Sequence, residues 1–173
     1  MKPVNELISD ATNNMNLNIL VFGPQVHTIS DNERTKNLQF KRIQIREELE
    51  ALGHFVRYAE DLVDPNLPSP QNNAVLQEIV IMAEFDLIIN IVESPGSITE
   101  ATLIATKANL SQKATLFMDE SHLGGLPAQA CQLAVQLGAN FETFKYPQDI
   151  VQCHLLGSVK KRVEKTQFTK FFS

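Results

Sequence analysis

Apolar positions along the chain fall into short continuous runs and longer stretches of helical spacing, and the two kinds alternate. Residues 18–22 (NILVF) form a buried-strand pattern stopped by Gly23-Pro24. Residues 25–36 are polar and without period, so a loop is expected. Residues 37–52 place Leu38, Ile45, Leu49 and Leu52 on one helical face, and Gly53 is a natural stop. A second strand is expected over 54–59. Residues 61–71 (DLVDPNLPSPQ) carry three prolines, which exclude regular structure. A helix follows over 72–84 with Val75, Ile79 and Met82 inward. Residues 87–92 (LIINIV) form an apolar strand buried on both faces. Further on come a helix over 98–109, a strand over 114–118, a helix over 127–137 closed by Gly138, a strand over 141–146, and a last helix from Ile150.

Five strands alternating with helices predict a single α/β domain, Rossmann-like or flavodoxin-like, with a mainly parallel sheet covered by helices on both faces. Residues 1–16 are read as an N-terminal extension and 160–173 as a helical tail. The net charge of −5 argues against a generic DNA or RNA binder but not against binding one nucleotide. Cys131 and Cys153 form no CxxC pair, and the four histidines show no metal-ligand spacing, so neither a metal nor a cofactor is expected. No apolar run approaches the ~20 residues that span a bilayer, and residues 1–15 do not resemble a leader. A cytoplasmic protein is expected.

In a parallel sheet, ligands bind beyond the carboxyl ends of the strands near the switch in strand order. Gly23-Pro24, Tyr58–Asp61 and Glu93–Glu100 should converge there. In the third segment, Glu93-Ser94-Pro95-Gly96-Ser97-Ile98-Thr99-Glu100, the turn Pro95-Gly96-Ser97 brings backbone close to a ligand, and a helix starts at once. Ser97 and Thr99 are candidates to cap that helix or to touch a ribose or phosphate. A purely structural account also fits, with Ser97 and Glu100 as a capping box.

The stretch from Asp86 to Ala101, DLIINIVESPGSITEA, resembles the central motif of the nucleoside 2-deoxyribosyltransferase-like and LOG-like (SLOG) superfamily. Val21-Phe22-Gly23-Pro24 is similar to the strand ending in Ala-Gly-Pro of the deoxyribosyltransferases. The resemblance covers about residues 18–118. The longer Pro-Gly-Gly-x-Gly-Thr-x-x-Glu signature is absent, and the Ser-Pro-Gly-Ser-x-x-Glu form is closest to versions found in prokaryotic defence effectors. It implies a Rossmann-like fold and cleavage or transfer of the bond between a base and a ribose or deoxyribose.

On that basis Glu100 is the candidate catalytic carboxylate, ionised and favoured by the helix N-terminus, with Asp86 assisting the base or holding a hydroxyl. Gly23, Pro24, Tyr58, Glu93, Ser94, Pro95, Gly96, Ser97 and Thr99 are the candidate substrate-binding residues. Tyr58 is a candidate for stacking on a base, Arg34 and Lys36 for reaching a phosphate, and His27 or His122 for acid chemistry. Each has a plainer role as a strand tyrosine, a solvated basic pair or loop histidines. The expected substrate is a nucleoside, nucleotide or NAD-like dinucleotide. The alternatives are a nucleotide-sensing module that lost catalysis and a structural subunit of a larger complex. Phe168, Phe171 and Phe172 of the tail are expected to pack on the domain or on another subunit of a homo-oligomer, and a regulatory protein partner is also envisaged.

Overall fold

The five expected strands form, all parallel: β1 (Asn18–Phe22), β2 (Phe55–Tyr58), β3 (Leu87–Ile91), β4 (Ala114–Asp119) and β5 (Asn140–Phe144). In the computed structural model, which describes residues 2–173, they lie in the order β2-β1-β3-β4-β5, all parallel, a Rossmann-like α/β arrangement. The order reverses between β1 and β3, whose register pairs Ile19 with Leu87 and Phe22 with Asn90. Strands buried on both faces need apolar residues at successive positions, which is why LIINI of β3 and ATLFMD of β4 are buried throughout.

Alternate strand residues feed two cores. On one face Ile19, Val21, Leu87 and Ile89 pack with Leu38, Ile45 and Leu49 of α2 (Glu33–Ala51), Ile150 of α7 (Gln148–Val151), and Leu155, Val159 and Val163 of α8 (His154–Phe171). On the other, Leu20, Phe22, Ile88 and Leu116 meet Met82 of α3 (Ala74–Glu84), Ala101 and Ile104 of α4 (Pro95–Ile104), Leu110 of α5 (Ala108–Ser111), and Cys131 and Ala134 of α6 (Gly125–Gln136). Each fully buried aliphatic side chain is worth roughly 1.5–3 kcal/mol, so these two layers hold the strand ends rigidly where the loops emerge.

Several boundaries shift. α2 begins at Glu33, inside the expected loop, because Asn32 accepts a hydrogen bond from Thr35 N–H and starts a polar first turn that carries no apolar period. α4 begins at Pro95, three residues early, and the expected helix over 98–109 breaks into α4 and the short α5. Val75 is 44% exposed and Leu52 55% exposed, so neither joins the core expected of it. Of the expected extension over 1–16, Met1 lies outside the described residues, and Val4–Asn13 forms α1, which packs on α8. Phe168, Phe171 and Phe172 do not pack onto the domain. They cluster on each other and stay exposed, because α8 docks through its other face, with Val163 and Gln167. No helix among the described residues is long and apolar enough to cross a membrane.

Candidate functional site

The turn after β3 is held by its own hydroxyls. Ser94 is the N-cap of α4: its Oγ accepts from Ser97 N–H at 3.2 Å, while Ser97 Oγ accepts from Ser94 N–H at 2.8 Å and Glu93 N–H at 2.9 Å. This is a capping box built from two serines, displaced by three residues from the expected Ser97–Glu100 pair. Pro95 takes the first helical position, where its fixed φ suits the helix and its missing N–H is no loss. Ser97 is fully buried, so its hydroxyl is structural. Thr99 is exposed, and its Oγ1 donates to Pro95 O at 3.0 Å.

Glu100 therefore lies in the second turn of α4, beyond the reach of the first-turn dipole. Its Oε2 is buried and has no hydrogen-bond partner among the described residues. Burial pushes its pKa up to about 8, with the charges of Glu78 and Glu60 adding to the rise and Arg42 opposing it. Glu100 is thus protonated at neutral pH, contrary to the ionised state expected, because desolvation outweighs a helix-end effect of roughly 0.3–1 kcal/mol. Over it sits Gly96, exposed, where an added Cβ would lie 3.9 Å from Glu100 Oε1.

Arg42 organises the ends of β1 and β2. Its side chain is 1% exposed, and its two terminal nitrogens donate to Val21 O, Gly23 O and Pro24 O and to both oxygens of Glu60, the latter at 2.6 and 2.7 Å. Gly23 has φ +151, and a Cβ there would lie 3.3 Å from Arg42 Cδ and 3.4 Å from Ile91 Cβ, so the close approach of β1's end to β3 requires glycine. Tyr58 lies under this array, 4% exposed, with the Arg42 and Arg46 guanidinium carbons 4.4 and 4.9 Å from its ring centroid. Its ring face is taken by cations, so Tyr58 cannot serve as the base-stacking platform expected of it.

A second cluster stands at the ends of β3 and β4. Arg34 donates to both oxygens of Glu93 at 2.6 and 2.9 Å and contacts Asp119 Oδ2 at 2.7 Å. This pairing raises the Arg34 pKa and helps hold Asp119 below the usual carboxylate range. His122 Nδ1 is 3.4 Å from Glu93 Oε2, and Arg34 stacks 4.6 Å from the Tyr146 ring centroid. A cleft of about 370 Å³ opens here between Glu93, Ile98, Ser121 and His122. Glu100 is not among its lining residues, and the charges that act on it are those of Glu78, Arg42 and Glu60.

Gly23, Pro24, Glu93, Ser94, Pro95, Gly96, Ser97, Thr99 and Glu100 thus share the carboxyl edge of the sheet. Asp86 does not. It precedes β3 at the opposite edge, where its Oδ2 accepts from Asn18 N–H at 2.8 Å, its own N–H donates to Asn18 O, and Oδ1 meets Lys170 Nζ at 2.7 Å. It staples the starts of β1 and β3, as a residue at a helix-to-strand turn can, and a five-residue strand separates it from Glu93. His27 pairs with Asp61 at 3.0 Å. Arg42, Glu78, Asp119 and Tyr146 are not singled out in the sequence, and Glu60 enters it only within the segment Tyr58–Asp61. Arg42 had a visible signal, since it occupies the apolar stripe Leu38-Arg42-Ile45-Leu49 of α2, where a charge needs a buried partner.

Compared with known proteins, the chain matches no family model and has no significant match among curated sequences.

Proposed function

We propose that this chain cleaves or transfers the N-glycosidic bond of a nucleoside, nucleotide or NAD-like dinucleotide, with Glu100 as the reacting carboxyl group. The observation that carries the reading is the buried, unpartnered carboxyl of Glu100 at the carboxyl edge of the sheet, beside the β1/β3 switch point. The resemblance of residues 86–101 to the deoxyribosyltransferase-like superfamily supports it.

For a nucleoside or nucleotide, a protonated Glu100 gives its proton to a ring nitrogen of the departing base as the C–N bond breaks, whereas the nicotinamide of an NAD-like dinucleotide takes the electron pair of that bond and leaves neutral without a proton. The carboxylate left behind is poorly solvated, and the positive charge developing on the sugar is the counter-charge it lacks. Stabilisation therefore grows toward the transition state rather than in the resting complex. Water, or a second base, then attacks the anomeric carbon and its proton returns to Glu100. Gly96, lacking a side chain, leaves unfilled the space 3.9 Å from Glu100 Oε1. Glu93 and His122 line a separate cleft at the same edge, which suits a part of the ligand remote from the bond that breaks.

The test is incubation of the protein with a panel of nucleosides, nucleotides and NAD, with chromatography for free base and Glu100→Gln in parallel. Base release by the wild type, lost in the variant and falling as pH rises past about 8, is the expected result. Ligand binding without base release would instead make the chain a nucleotide-sensing module. Neither binding nor release would leave a structural subunit.

A further inference from the structure

The amino edge of the sheet holds the opposite charge. There α8 passes the starts of β3, β4 and β5 and walls a hollow of about 420 Å³ whose rim includes Asp86, Lys113, Asn140, Arg162, Lys165 and Lys170. Most of these charges are spent. Asp86 is bound to Asn18 N–H and Lys170, and Lys113 Nζ donates to Ala83 O and Phe85 O at the end of α3. Arg162 and Lys165 are different: among the described residues neither side chain has a hydrogen-bond or ion-pair partner, and Arg162 Nε is withdrawn from water with its donor unused. Burial lowers the Arg162 pKa, with only the more distant charge of Glu142 opposing. Both side chains also border a second depression of about 300 Å³ beside Asn140 and Glu142. A chain of net charge −5 thus leaves two unpaired cations in one hollow. A guanidinium with one N–H withdrawn from water and no acceptor for it is costly, and an anion relieves that cost.

We propose that this hollow binds a phosphorylated small molecule through Arg162 and Lys165, on the edge of the sheet opposite Glu100. The guanidinium fork matches two phosphate oxygens, the lysine supplies a mobile point charge, and the Asn140 amide stands beside them as a further donor. The volume lies within the roughly 300–1,000 Å³ of small-molecule sites. The cations converge in a concavity, with Glu142 interrupting any basic track along the surface, which favours a discrete phosphate over the backbone of a nucleic acid.

The test is titration of the ¹⁵N-labelled full chain with inorganic pyrophosphate at constant ionic strength, followed by NMR, for the wild type, Arg162→Gln and Lys165→Gln. Lys165 is exposed, so its substitution leaves folding intact. The expected result is saturable shifts confined to Asn140 and the middle of α8, weakened about tenfold or more in each variant that keeps the native spectrum. Shifts that fail to saturate, or that persist unchanged in Lys165→Gln, overturn the proposal. So does displacement of pyrophosphate by a mixed-sequence single-stranded oligonucleotide, which would make the edge a nucleic-acid surface.

Discussion

The two edges of the sheet solve the same problem of buried charge in opposite ways. At the carboxyl edge Arg34 and Arg42 are consumed by Glu93, Asp119 and Glu60, and the surplus is carboxyl, with Glu100 left neutral and unpartnered. At the amino edge Asp86 is consumed by Lys170 and a backbone N–H, and the surplus is cationic. Paired charges build the frame, and on the two readings proposed above the unpaired group at each edge is the one offered to a ligand.

The largest effect expected from breaking this contrast is at Glu100. Glu100→Gln should lower base release by about 10²–10⁴-fold, the range for a lost general acid, measured by chromatography under single-turnover conditions. The same variant should change the pH dependence of stability. The folded chain keeps a proton that the unfolded chain loses near pH 4.5, so wild-type stability falls as pH rises from 4.5 toward about 8. The slope is at most ~1.4 kcal/mol per pH unit, and thermal melts at intervals across that window should be flatter in Glu100→Gln.

Arg42→Met tests the frame. It strands Glu60 and three strand-end carbonyls, and denaturant titration should show a loss of about 3 kcal/mol, as for one-sided removal of a buried ion pair. Gly96→Val tests access. The position is exposed and its backbone suits any residue, so melting should be unchanged while base release drops about tenfold, a barrier increase of ~1.4 kcal/mol. Asp86→Asn should have the smallest effect, under ~1 kcal/mol of stability and no loss of base release. A large activity loss there would mean that the amino edge takes part in the chemistry after all.

The inner strands were legible because a sheet buried on both faces demands apolar runs, the edge strands FVRY and NFETF were legible by their place between turns, and all five expected strands formed with boundary errors of one or two residues. The turn after β3 was legible as a turn, but its cap was placed at Ser97 because a Ser-x-x-Glu pattern looks like a capping box whether or not a better cap precedes it. Ser94-Pro95 is the better one, since proline fits only the first turn. Asp86 was misplaced in space because one sequence motif can span both ends of a strand. Proximity along the chain became about one strand length of separation. The Arg34 and Arg42 networks were hidden because their partners lie 18 to 85 residues away, and only the charge on the α2 stripe hinted at one of them.

The serine box at the start of α4 has a consequence for selectivity. Ser97 N–H is spent on Ser94, Pro95 has no N–H, and Ile98 N–H returns to Ser94 O, which leaves the Gly96 N–H as the free donor of that first turn. A helix start that ordinarily cradles anions with several amides here presents one. If the substrate is a nucleotide, this turn offers its phosphate one amide rather than a cradle of several.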